Sequence, residues 1–182
     1  MSVLIAIASA HNTTTEIGQR IAARLATHIR GPVEVRPIAE IPADGVAPYS
    51  AVVVGSAIHM ASWLSPARKF VHQNRATLAK KKPTWAFSVG VPTTEEYLKQ
   101  ETEKMEAEVR KDVPELKGHV LFKGRIEREQ LPWPVALYFK WFPKQAAFGD
   151  FVEWEKVDAW ADEIGRVLKG FEEVGSQGVM AR

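Results

Sequence analysis

A doubly wound α/β domain is the fold this sequence predicts: a five-stranded parallel sheet of order 2-1-3-4-5 between two helical layers, a three-layer sandwich. Three observations carry it. Short, continuous apolar runs recur along the chain, stretches of helical period lie between them, and helix-capping residues stand at the starts of those stretches. Runs without polar alternation are expected of strands buried on both faces, and parallel strands need crossovers long enough for a helix. At 182 residues a single domain is expected, here residues 1–170 followed by a flexible tail at 171–182.

The first strand is Val3 to Ala8. Its surroundings resemble the apolar region of a secretory leader but lack the basic start and are too short for one. Thr13 and Thr14 then cap a helix whose stripe is Ile17, Ile21 and Leu25. A weaker second strand, Val33 to Ile38, follows Gly31-Pro32, and Ala51 to Gly55 is the third. Ser65, with Pro66 at the first helical position, opens a helix toward Phe70 and Val71.

Trp85 to Gly90 is the fourth strand, and the capping box Thr93-x-x-Glu96 precedes a helix over Tyr97 to Lys111. Val120 to Phe122 is the fifth. A second box, Asp150-x-x-Glu153, opens the last helix, whose stripe of Val157, Trp160, Ala161, Ile164, Val167 and Leu168 faces the core. Between the fifth strand and that helix lies an insertion at about 126–151. Right-handed crossovers give the doubly wound arrangement, and the length favours five strands over six.

Composition removes whole classes of chemistry. With no cysteine there is no disulfide framework, thiolate nucleophile or iron–sulfur ligation, so a redox role requires a bound cofactor. The histidines His11, His28, His59, His72 and His119 show no metal-ligand spacing, and no metal is expected. No apolar run approaches the roughly 20 residues that span a bilayer. The expected location is cytoplasmic.

In an open parallel sheet ligands bind beyond the carboxyl ends of the strands, at the switch in strand order. The loop after the first strand, Ser9-Ala10-His11-Asn12-Thr13-Thr14-Thr15, runs straight into a helix. A helix N-terminus offers unpaired amides and partial positive charge, and the hydroxyls of Ser9, Thr13 and Thr14 add donors for a phosphate monoester. The same residues would also serve as plain caps. Neither Gly-x4-Gly-Lys-Ser/Thr nor Gly-x-Gly-x-x-Gly is present, and the acidic cluster of a receiver domain is absent from the end of the first strand.

On the Ser9 to Thr15 loop, the Tyr49 to Ile58 segment, Phe87-Ser88-Val89-Gly90 and the Trp154 to Ile164 helix, the chain resembles the flavodoxin-like family. Within it, the branch of menaquinone-dependent protoporphyrinogen dehydrogenase and related flavodoxin-domain proteins is the most similar. The resemblance implies noncovalent FMN, with its phosphate in the first loop at Ser9, His11, Asn12, Thr13 and Thr14. The ring would lie between a second loop (Ser56, Ala57, Ile58, His59, Met60, Trp63) and a third (Ser88, Val89, Gly90, Thr93). His59, Met60 and Trp63 suit stacking and sulfur contacts, with a core or helix-start role the alternative for Trp63, and Gly90 suits close backbone approach. Asn12 stands where relatives often have glycine. No catalytic acid or base is assigned.

The resemblance implies an FMN-dependent oxidoreductase working through flavin N5, on a porphyrinogen or quinone; a non-catalytic electron-transfer module is the alternative. Flavodoxins that act as carriers are strongly acidic, whereas this chain has a formal charge of +2. Between Lys117 and Lys144 six basic residues stand against two acidic ones, beside the aromatic segment Leu131 to Pro143. That segment suits a flat anionic substrate, peripheral contact with a membrane surface, self-association, or packing on the protein's own core. No nucleic-acid partner is expected.

Overall fold

The computed structural model describes residues 1–80, 82–90, 94–126 and 149–180. Its elements in order are β1 (Val3–Ala8), α1 (Thr13–Leu25), β2 (Val33–Pro37), a 3-10 turn (Ile38–Glu40), β3 (Ala51–His59), β4 (Ser62–Trp63), α2 (Ser65–Lys80), β5 (Thr84–Gly90), α3 (Glu95–Asp112), β6 (Gly118–Lys123), β7 (Arg125–Ile126), β8 (Gly149–Asp150) and α4 (Trp154–Met180). The main sheet runs β2-β1-β3-β5-β6, all parallel. β4 is only the antiparallel return of a hairpin on β3, so the five long strands keep the expected order 2-1-3-4-5.

Each central strand contributes alternately to two cores. Leu4, Ala6, Val52, Val54 and Ala86 pack under α2 and α3 with Phe70, Val71, Leu78, Met105 and Val109. Val3, Ile5, Ile7, Val53, Trp85, Phe87 and Val89 pack under α1 and α4 with Ile17, Ile21, Leu25, Val157, Ala161, Ile164 and Leu168. Both faces are covered, which is why these strands lack polar alternation. The Phe87 ring occupies the place where Gly55 would carry a side chain, so a Cβ there would overlap it. Phe87 and Phe122 are tilted against one another, and Trp160 meets both edge-on.

α1 and α4 are further joined on their outer edge. Arg20 bonds Asp158 at 2.7 and 2.6 Å, and one turn on Arg24 and His28 share Asp162. These partners repeat at a spacing of four residues on each helix, so they fix the helix register more than they add stability.

Several boundaries differ from the sequence reading. α1 is capped by Asn12 in the left-handed conformation at φ 66°, with Thr13 and Thr14 buried inside the first turn. Ser65 lies within α2, where Leu64 carbonyl oxygen accepts the first amides, from Ala67 and Arg68. The cap of α3 is Thr94, whose hydroxyl accepts from Tyr97 N at 3.4 Å, one residue later than the expected Thr93 box, and Thr93 itself lies outside the described residues. Asp150 does not cap α4: its carboxylate accepts from Val152 N at 3.1 Å and makes a turn ahead of the helix.

β2 stops at Pro37, which lacks an amide and can sit in this edge strand only with its ring toward the unpaired side. On α4, Val167 is 42% exposed rather than core-facing. The helix continues to Met180, where the sequence reading expected a flexible tail from residue 171. The expected insertion is bracketed by a two-stranded ladder, Arg125 opposite Asp150 and Ile126 opposite Gly149. The segment Leu131 to Pro143 lies outside the described residues.

Candidate functional site

Three turns meet at the carboxyl end of the sheet around a cleft of about 150 Å³. Ser9, His11, Thr13 and Thr14 line it from the β1–α1 loop, Ala57, Ile58 and His59 from β3, and Val89 and Gly90 from β5. These nine were expected from the sequence. Asn12 turns instead to a neighbouring depression beside Thr15 and Gln19, its side-chain amide donating to Glu16 at 3.3 Å.

The first loop is built to receive an acceptor. Thr13 N donates to His11 O at 2.9 Å, and the first helical bond of α1 runs from Glu16 N to Asn12 O at 3.0 Å. The amides of Thr14 and Thr15 precede that bond and so have no acceptor within the helix. Thr14 is 2% and Thr13 7% exposed, and the Ser9 hydroxyl oxygen is buried without a hydrogen-bond partner. A buried orphan hydroxyl is costly unless a ligand completes it.

The second loop is a hairpin. Met60 and Ala61 join β3 to β4 with φ 50° and 55°, and positive φ at both central positions is the type I′ turn that suits strand twist. Neither residue is one that favours this region, so the turn needs support. Lys104 of α3 supplies it by donating to Ala61 O at 2.8 Å. Met60 points into solvent at 89% exposure and is not among the residues that line this cleft. Ser56 is fully buried; its hydroxyl accepts from Leu64 N at 3.1 Å and donates to Ala57 O at 2.9 Å, so it joins the hairpin to the start of α2 instead of facing a ligand.

Ser88 and Trp63 are likewise structural. The sequence reading had the strand run to Gly90 and also gave Ser88 to the ring-binding loop; β5 does run to Gly90, and the Ser88 hydroxyl is taken up by Trp63 and His119 inside the fold. The indole of Trp63, 4% exposed, donates to Ser88 Oγ at 2.7 Å, and Ser88 Oγ lies 2.8 Å from His119 Nε2. Burial pushes the His119 imidazole down to about 4, so the ring is neutral near pH 7. Glu101 of α3, 7% exposed, lies behind Gly90 with one carboxylate oxygen unpartnered, and burial raises its pKa.

Four residues that line the cleft were missed: Ala10, Leu64, Gly124 and Arg125. Gly124 N donates to Gly90 O at 2.8 Å, extending the β5–β6 pairing past β6. Arg125 contacts Glu16 at 3.1 Å and Asp150 at 2.9 Å. Lys123 contacts Glu95 at 3.2 Å and Glu153 at 3.7 Å. Two of the six basic residues read from Lys117 to Lys144, Lys123 and Arg125, are thus paired with carboxylates from distant parts of the sequence, while Arg128, Lys140 and Lys144 lie outside the described residues. Arg125 was legible only as one member of that basic stretch.

The described residues fit a flavin mononucleotide. An open helix end and an orphan hydroxyl answer a phosphate, and apolar Ile58 and Val89 with Gly90 give an apolar wall. Among the described residues no group of three or more His, Asp or Glu could hold a metal ion, and no helix is long and apolar enough to cross a membrane. This combination defines a doubly wound α/β flavin-nucleotide domain.

The chain belongs to the flavodoxin domain family, whose model matches residues 4–141. FMN is the cofactor of that family. No curated protein matches the chain. Among solved structures it is similar to a flavodoxin from the domain Archaea, at TM-score 0.58 and 14% identity over 93% of this chain and 99% of that one. A flavodoxin of Streptococcus pneumoniae TIGR4 gives 0.60 and 14% over 91% and 99%. Rubredoxin oxygen:oxidoreductase from Desulfovibrio gigas gives 0.63 and 16% over 93% of this chain but 36% of that longer chain. At such identities the likeness speaks to the fold.

Proposed function

We propose that the chain holds FMN noncovalently in this cleft and serves as a flavin-mediated electron-transfer domain. Bound FMN would supply hydride and single-electron transfer at its ring, and the protein would supply position and environment. Ser9, Thr13 and Thr14, with the amides that open α1, hold the phosphate. His11 closes the loop through its carbonyl. Ile58, His59, Val89 and Gly90 border the ring. Trp63, Ser56 and Ser88 act from behind, holding the hairpin and β5 in place. The observation that carries this reading is the buried, unpartnered Ser9 hydroxyl at the open end of α1.

The direct test is titration of the purified full chain with FMN, followed by flavin fluorescence and absorbance. Saturable binding with one equivalent is expected. A protein that leaves added FMN fully fluorescent would end the proposal.

A finer reading is an FMN-dependent oxidoreductase on a porphyrinogen or quinone, supported by the formal charge of +2 and the aromatic, lysine-edged segment Leu131 to Pro143. Turnover of a porphyrinogen or a quinone under anaerobic assay supports it. Reductive titration through two separate one-electron steps, without turnover of either, supports the carrier reading.

A further inference from the structure

The guanidinium of Arg125 stands at the mouth of the cleft between two carboxylates, Glu16 at 3.1 Å and Asp150 at 2.9 Å. Glu16 is in the first turn of α1, where a carboxylate is favoured by the same partial positive charge that would attract a phosphate. An incoming dianion and Glu16 therefore compete for one helix end, and they repel each other across less than one turn. Arg125 is 27% exposed, so solvent screens its contact with Glu16 only partly. Among the described residues lining the cleft it is the one permanent cation.

Resting on the FMN reading, we infer that Arg125 is the positioning residue that makes the site select phosphorylated over unphosphorylated flavin. Its charge, shared with Asp150, offsets part of that of Glu16, and it holds the Glu16 carboxylate through Nη1 and Nη2. It also bonds Asp150 of β8 through Nε and Nη2, so the neutralising charge is anchored from the far side of the cleft mouth. The uncharged donors of the loop bind the phosphate, and Arg125 reduces the repulsion that opposes it.

The test compares FMN with riboflavin, which lacks the phosphate, on the full chain and its variants by fluorescence titration. Arg125→Gln should weaken FMN at least tenfold and riboflavin less than threefold. Glu16→Gln should leave FMN binding unchanged or tighter, and Arg125→Gln combined with Glu16→Gln should recover most of the loss. Arg125→Lys, which keeps the charge, should stay within threefold of the parent. Raising salt should narrow the gap in FMN affinity between Arg125→Gln and the parent, because it screens the repulsion between the uncovered carboxylates and the phosphate. Equal loss of FMN and riboflavin, or no recovery in the double variant, would mark Arg125 as a structural bridge and overturn the inference. If Arg125→Gln does not fold by circular dichroism, the Glu16→Gln and Arg125→Lys results decide: selective loss of FMN in either refutes it. A parent protein that binds neither flavin refutes the functional reading itself.

Discussion

The indole N–H of Trp63 donates to the Ser88 hydroxyl at 2.7 Å, tying the hairpin after β3 to the middle of β5 from underneath the cleft. Because His119 is neutral, the Ser88 proton can go to His119 Nε2, placing the ring proton on Nδ1, which is buried without a partner. Three strands are thus joined by one chain of side chains: β4, β5 and β6.

Ser88→Ala should destabilise the fold by about 1–3 kcal/mol, since it strands the Trp63 N–H and one imidazole nitrogen in the interior. Urea unfolding measures it. FMN affinity of the folded variant should change by less than threefold, because Ser88 does not line the cleft. A large affinity loss at unchanged stability would return Ser88 to the ligand.

His119 makes stability depend on pH in a defined window. Its folded pKa is about 4 against an ordinary value of 6.5, so between those values the unfolded chain binds more protons than the native one. Stability then rises with pH across that window, and full protonation costs up to about 3 kcal/mol. Urea midpoints measured from pH 4 to 7 should flatten in His119→Gln, which keeps a polar partner for Ser88.

Ser9→Ala should have opposite effects on the empty and the loaded protein. Without ligand the variant loses only an unsatisfied hydroxyl, so its melting temperature should be unchanged or higher. With FMN it loses one charge-assisted hydrogen bond, and the dissociation constant should rise about tenfold or more. Paired melts with and without FMN provide the check.

Met60→Asn with Ala61→Gly should stabilise the hairpin by about 1 kcal/mol. Both positions have positive φ, and Asn-Gly is the pair that a type I′ turn prefers. Thermal unfolding should move upward. No change would mean that the Lys104 bond to Ala61 O already offsets the strain.

The long-range plan was legible because it is written in local chemistry. β1 was found at its observed bounds, since a run of six buried residues between polar turns has no competing helical period. The order of the five long strands followed from the alternation of such runs with helical stretches; of the nine cleft residues, Ser9, Thr13 and Thr14 followed from the chemistry of the first loop and the other six from the family resemblance. What escaped the sequence was decided by tertiary context. Adjacent threonines at 93 and 94 make the capping frame ambiguous by one residue, and only the Tyr97 amide settles it. Met60-Ala61 carries no turn signature, so β3 was ended early at Gly55 and Ser56 was assigned to a binding loop. Trp63 and Ser88 were given to the ring by the family resemblance, with a core role the alternative for Trp63, and it is that alternative the structure shows: the indole bonds the Ser88 hydroxyl in the interior. Arg125 was hidden because its carboxylates lie 109 and 25 positions away.

The ladder of β7 and β8 has a practical consequence. Ile126 and Gly149, 23 positions apart in the sequence, stand opposite one another. Closing a loop between fixed neighbouring ends costs free energy that grows only with the logarithm of its length. That junction is therefore a port for sequence change: because its two rungs already hold the ends of the segment side by side, the length of chain inserted between them adds little to the cost of closing the domain.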